Sequence, residues 1–97
     1  PYVCEGMRHV YHLYVVRVHS RDKVQAELSD AGIATGIHYP IALPDLQAYK
    51  YMGKLPADFP IASAYSNEIL SLPMFPELQP DQIEYVCSRL IAAVAQR

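Results

Sequence analysis

No block of lysine or arginine stands anywhere in the sequence. Ten acidic side chains face eight basic ones, for a net charge of −2. Without a basic stripe, nucleic acid is excluded as an expected partner. No apolar run reaches the roughly 18–20 residues that cross a bilayer, so no membrane span is expected. The start of the chain has neither the charged nor the apolar region of a signal peptide, and the expected location is cytoplasmic. The two cysteines, Cys4 and Cys87, lie near opposite ends with no CxxC spacing. This counts against zinc and thioredoxin-type chemistry, and both thiols are expected to be reduced. Neither a GxGxxG phosphate loop nor a GxSxG elbow occurs. Repeats and low-complexity segments are absent as well.

What is present is a globular composition: 97 residues, 52% hydrophobic and 19% charged. That is one small domain, residues 1–97, large enough to bury roughly 60–70% of its unfolded surface. The first residue is proline, and the chain reads as a piece of something longer.

After an irregular lead-in over Pro1 to Gly6, the residues from Arg8 to Val18 favour a strand. Leu13 and Val15 alternate with Tyr14, Val16 and Val18. Both faces are therefore apolar, as in a strand covered on two sides, and the second cover is expected from outside this chain. Ser20 is the expected N-cap of a helix whose inner face is Val24, Leu28 and Ala31. Gly32 supplies its left-handed stop. Ile33 to Tyr39 reads as a second strand, which makes one compact strand–helix–strand unit.

Pro44 opens a short helix through Leu46 and Tyr49, closed by Gly53, and Lys54 to Asp58 is a loop. A helix follows from about Asp58–Phe59, with Pro60 in its first turn and Ile61, Tyr65 and Ile69 inward. Leu70 to Pro73 is a very short strand stopped by proline. The last helix starts at Pro80, with Asp81 and Glu84 matching its dipole. Its stripe is Ile83, Val86, Cys87, Leu90, Ile91 and Val94, which makes Cys87 a buried, inert thiol.

Candidate chemistry is sparse. His9 and His12 point to opposite faces of a strand, poor geometry for a shared metal. His19 falls at a strand end. The eight tyrosines are scattered, and core packing with a wet hydroxyl is the expectation for most. Asp45, Asp58 and Asp81 read as caps or loop residues. Lys23, Lys50 and Lys54 have none of the apolar surroundings that a Schiff-base lysine needs. The remaining candidate is His38-Tyr39-Pro40, a proline-fixed pair at a strand end, where open sheets often place ligand contacts.

Several segments together resemble the C-terminal part of the DegT-type nucleotide-sugar aminotransferases, pyridoxal-phosphate enzymes of fold type I. They are His12 to Val18, Gly32 to Pro40, Ala48-Tyr49, Phe59 to Ala62 and Glu68 to Leu78, with Gln82 and Tyr85-Val86 after them. The resemblance implies an α+β fold: a small two-layer domain with a short three- or four-stranded sheet and helices on one face. It also implies that pyridoxal phosphate is held by a large domain absent from this chain, in an enzyme that is a homodimer at full length. Glutamate would give its amino group to a keto-sugar nucleotide. His38 and Tyr39 match the family's His-Tyr at the substrate cleft and take a substrate-binding role by that match. No catalytic, cofactor-binding or metal residue is expected here, and the fragment alone is expected to be inactive. Ala42-Leu43-Pro44 departs from the Pro-Leu-His of many members and leaves the sugar open. The alternative is the small domain of a regulatory or sensory relative.

Overall fold

The computed structural model describes residues 2–95; Pro1, part of the expected lead-in, lies outside the described residues. Two four-residue strands, β1 (Tyr14–Arg17) and β2 (Ile69–Leu72), pair antiparallel, with Tyr14 opposite Leu72 and Arg17 opposite Ile69. Between them in sequence run α1 (Arg21–Asp30) and α2 (Pro60–Ser66), and α3 (Pro80–Ala95) closes the order. Three 3₁₀ turns, Leu43–Asp45, Gln47–Met52 and Pro56–Asp58, fill the stretch before α2. The class is the expected α+β, with α1 packed on both α3 and β2.

The expected sheet of three or four strands is smaller. Strand Ile33–Tyr39 is reduced to a single bridge, Gly36 opposite Ser71. Strand Arg8–Val18 shrinks to four residues, because β2 offers only four to pair with before Pro73 ends it. A residue of an antiparallel strand points its N–H and C=O to the same side. Ser71 turns both toward Gly36, so β2 lies between β1 and the Gly36 bridge.

Helix α1 stops as its sequence dictates. Gly32 has a φ of 76°, and its N–H donates to Ser29 O at 2.9 Å while Ile33 N–H donates to Leu28 O at 2.8 Å. This is the paired-bond stop that a left-handed residue permits, and Ile33 and Leu28 meet in the core as it requires. The start differs from expectation. Ser20 is itself left-handed, with φ 53°, and its side chain makes no capping bond. Its carbonyl instead receives Lys23 N–H and Val24 N–H. At α3, Gln82 Oε1 accepts from the Gln79 N–H at 2.9 Å, a reach-back cap. Tyr85 Oη donates to Ala31 O at 3.0 Å, joining α3 to the end of α1.

The core is Val18, Val24, Leu28, Ile33, Leu70 and Ala93, flanked by Val16, Ala31, Ile37, Val86 and Leu90. Full burial stabilises a Val or Leu by roughly 1.5–3 kcal/mol each. Arg21, buried on the same unit, donates from Nη1 to Ser66 O (3.2 Å) and Ile69 O (3.0 Å) and from Nε to Asp22 Oδ1 (2.6 Å). It thereby pins the start of α1 to the α2–β2 turn.

Segments 2–12 and 38–65 contribute no buried residue. Six inward assignments fail: Ile61 and Tyr65 on α2, and Ile83, Cys87, Ile91 and Val94 on α3, are exposed. Seven of the eight tyrosines are exposed, with Tyr14 half-buried. The reason is one of area: two short strands and three helices provide too little surface to cover every apolar face. The same holds for β1, where Val15 and Arg17 face outward and Tyr14 and Val16 inward.

Leu28→Ala should lower unfolding free energy by about 2–5 kcal/mol, and Ile91→Ala should change it by less than about 0.5 kcal/mol in this chain. Arg21→Ala should cost about 1.5–3 kcal/mol, because it leaves two carbonyls without their charged donor. Urea titrations measure all three.

Candidate functional site

Gly36 and Ser71 form a reciprocal pair. Gly36 N–H donates to Ser71 O at 3.0 Å, and Ser71 N–H donates to Gly36 O at 2.7 Å. Two residues beyond Gly36, the His38 ring turns back over this pair, with Nδ1 2.9 Å from Ser71 Oγ. The bare face of Gly36 leaves room for the ring in this position, since a Cβ there would lie 2.8 Å from His38 Cε1 and push the ring aside. Ser71 is almost fully buried, whereas His38 is exposed. The imidazole therefore has one anchored nitrogen, Nδ1, and Nε2 remains available to a ligand.

Tyr39 is 77% exposed. Its ring stands edge-on to His38, at 82° and 6.2 Å between centroids, and the peptide joining the two residues is cis. Pro40 follows, and the chain then folds along α2. Tyr39, Pro40, Leu43, Leu46, Tyr65 and Ile69 line a largely apolar cleft of about 860 Å³. Ser63 Oγ on α2 donates to Asp45 Oδ2 at 2.8 Å, so the Leu43–Asp45 turn is tied to the helix opposite. The two walls are held together by that bond.

Tyr65 also has a charge against its ring. The Arg17 guanidinium lies 3.9 Å from the Tyr65 ring centroid and donates from Nε and Nη2 to Glu68 Oε2 at 3.0 and 2.6 Å. The hydrogen bond with Glu68 is the main reason that the Arg17 pKa is raised from its ordinary value; the Tyr65 and Glu68 charges add to it, and desolvation opposes it. A fixed positive charge thus stacks on a ring of the cleft wall.

The structure keeps the two expected site residues adjacent but aims them differently: His38 onto β2, Tyr39 to the cleft. Sequence reasoning missed Ser71. A lone hydroxyl in Leu70-Ser71-Leu72 was its only trace, and only the strand pairing shows that it faces His38. His9 and His12 converge on no site: His9 Nδ1 accepts the Tyr11 N–H at 2.8 Å. Among the described residues no group of three or more His, Cys, Asp or Glu is arranged to hold a metal. Asp58 acts as a cap, its Oδ2 receiving the Leu55 N–H at 2.7 Å. Lys23, Lys50 and Lys54 all lie on the surface. None is a desolvated amine of the kind that carries an aldimine, so the described residues do not fit the role of holding pyridoxal phosphate. The arrangement can bind and orient a ligand through stacking and hydrogen bonds. The one hydroxyl–imidazole pair here, Ser71 with His38, has its hydroxyl buried under the ring, where a substrate cannot reach it as a nucleophile.

Comparison with known proteins gives the chain a family. The model of the DegT/DnrJ/EryC1/StrS aminotransferase family matches residues 3–91. The chain is 39% identical to the pleiotropic regulatory protein of Geobacillus stearothermophilus, over 93% of this chain and 24% of that protein. It is 40% identical to the erythromycin biosynthesis sensory transduction protein EryC1 of Saccharopolyspora erythraea, over 84% and 22%. It is 35% identical to the UDP-N-acetyl-3-dehydro-alpha-D-glucosamine 3-aminotransferase of Acidithiobacillus ferrooxidans, over 91% and 23%. A Streptococcus pneumoniae protein described as a sugar aminotransferase, solved in its PMP form, superposes with a TM-score of 0.77 at 31% identity. That match covers 88% of this chain and 22% of the other. The chain thus spans about a quarter of the length of the curated relatives it matches. With its family pattern running from residue 3 to residue 91, the chain belongs to the DegT/DnrJ/EryC1/StrS aminotransferase family.

Proposed function

We propose that this chain is the C-terminal small domain of a pyridoxal-phosphate-dependent aminotransferase that acts on a keto-sugar nucleotide in the cytoplasm, with glutamate as amino donor. The full-length enzyme is a homodimer in this reading. The observation that carries it is the clamp on His38, which leaves Tyr39 exposed at the rim of an apolar cleft. Relatives named as sugar aminotransferases support the substrate class, among them the dTDP-3-amino-3,6-dideoxy-alpha-D-galactopyranose transaminase of Aneurinibacillus thermoaerophilus.

The cofactor supplies an electron sink when bound, and residues outside this chain hold it. The chain's own residues do the work of recognition. Tyr39 offers a ring face and a hydroxyl, and His38 offers Nε2 to an oxygen of the sugar nucleotide. The tied walls of the cleft keep water from the bound face of the ligand. This is one wall of a binding site, and the fragment alone is inactive in this reading.

A second reading has its own support. Two of the relatives with the highest identities given above are a regulatory protein and a sensory transduction protein. In that reading the same wall binds a sugar nucleotide as a signal. Amino transfer by the full-length protein, followed with glutamate and a keto-sugar nucleotide, separates the two.

In the full-length enzyme, Tyr39→Ala and His38→Ala should each raise the KM for the sugar nucleotide about 5- to 10-fold, the value of one lost hydrogen bond or stacking contact. The KM for glutamate should not move. Unchanged sugar-nucleotide KM in both variants would remove the pair from the site.

A further inference from the structure

Ser71 has a hydroxyl proton to place and a buried position in which to place it. Ser71 is 4% exposed, and among the described residues its Oγ has one partner, His38 Nδ1, at 2.9 Å. A buried hydroxyl that accepts without donating leaves its own proton unpaired, which is costly. The arrangement that satisfies both groups is Ser71 Oγ–H donating to Nδ1. A neutral imidazole with an acceptor at Nδ1 carries its proton on Nε2.

We infer that Ser71 is a positioning residue for His38: it sets the ring as the Nε2–H tautomer and aims that N–H outward as a donor. The chemistry selected is a ligand oxygen with a free lone pair, such as a carbonyl, hydroxyl or phosphate oxygen. Rotation is blocked from two sides. The Gly36–Ser71 backbone pair fixes where the hydroxyl stands, and the bare face of Gly36 holds the ring over it. The ligand role of His38 rests on the function proposed above, whereas the tautomer does not.

The test uses the full-length protein labelled with ¹⁵N-histidine, with the His38 signals identified by their loss in His38→Gln. Recorded at a pH high enough that the ring is neutral, the wild type should give the unequal ring-nitrogen shifts of an imidazole protonated at Nε2; an Nδ1-protonated ring would overturn the inference without any further variant. Ser71→Ala should average the two tautomers, and Ser71→Thr, which keeps the hydroxyl, should restore the preference. Gly36→Ala displaces the ring while leaving Ser71 in place, and should also average them. Wild-type shifts in folded Ser71→Ala would overturn the inference. The KM of Ser71→Ala for the sugar nucleotide should rise about 5-fold, the factor for one hydrogen bond, with kcat little changed. Averaged tautomers with an unmoved KM would uphold the positioning role and overturn the reading of His38 as a ligand contact.

Discussion

The reciprocal backbone pair between Gly36 and Ser71 is the constraint on which the rest of the site depends. It is a single bridge, yet it joins the chain leaving α1 to the free edge of β2. On the other edge β2 holds β1, and beneath it Leu70 enters the core with Val24 and Leu28. The position of His38 thus follows from the packing of the helices. Removing the bridge would free the ring and the following Tyr39 together, while the Ser63–Asp45 bond would still tie the cleft walls. Two hydrogen bonds suffice because their surroundings are rigid: the Gly32 stop sets where the chain leaves α1, and Pro73 sets where β2 ends.

Much of this was legible in the sequence, and the reasons are particular. Helix α1 ends where Gly32 says it must, and α3 begins at Pro80 with its acidic first turn. Local chemistry decides such features. The strands were harder to bound. Arg8 to Val18 and Ile33 to Tyr39 have strand-forming composition, but strand length depends on a partner, and β2 offers only four residues. Burial was read worst. Cys87, Ile61 and Ile91 follow helical spacing, which shows a face without showing what covers it. Ser71 was invisible for a related reason, since its meaning lies in a contact with a residue 33 positions away.

In the function proposed, the site holds and does not react: an anchored imidazole, an exposed tyrosine and an apolar wall would recognise the ligand, and the surface lysines offer no desolvated amine for covalent chemistry. That division agrees with membership of an aminotransferase family whose relatives are about four times the length of this chain. The sequence match placed His38 and Tyr39 at the site together, whereas the structure separates their tasks. One is fixed by the fold, and the other is presented by it.

Amide hydrogen exchange at Gly36 in the full-length protein tests the central claim most directly. If the bridge is the clamp, the Gly36 and Ser71 amides exchange together and as slowly as the paired amides of β1 and β2, as members of one cooperative unit do. Exchange of Gly36 at the rate of the exposed 47–59 segment, with Ser71 still protected, would contradict the account.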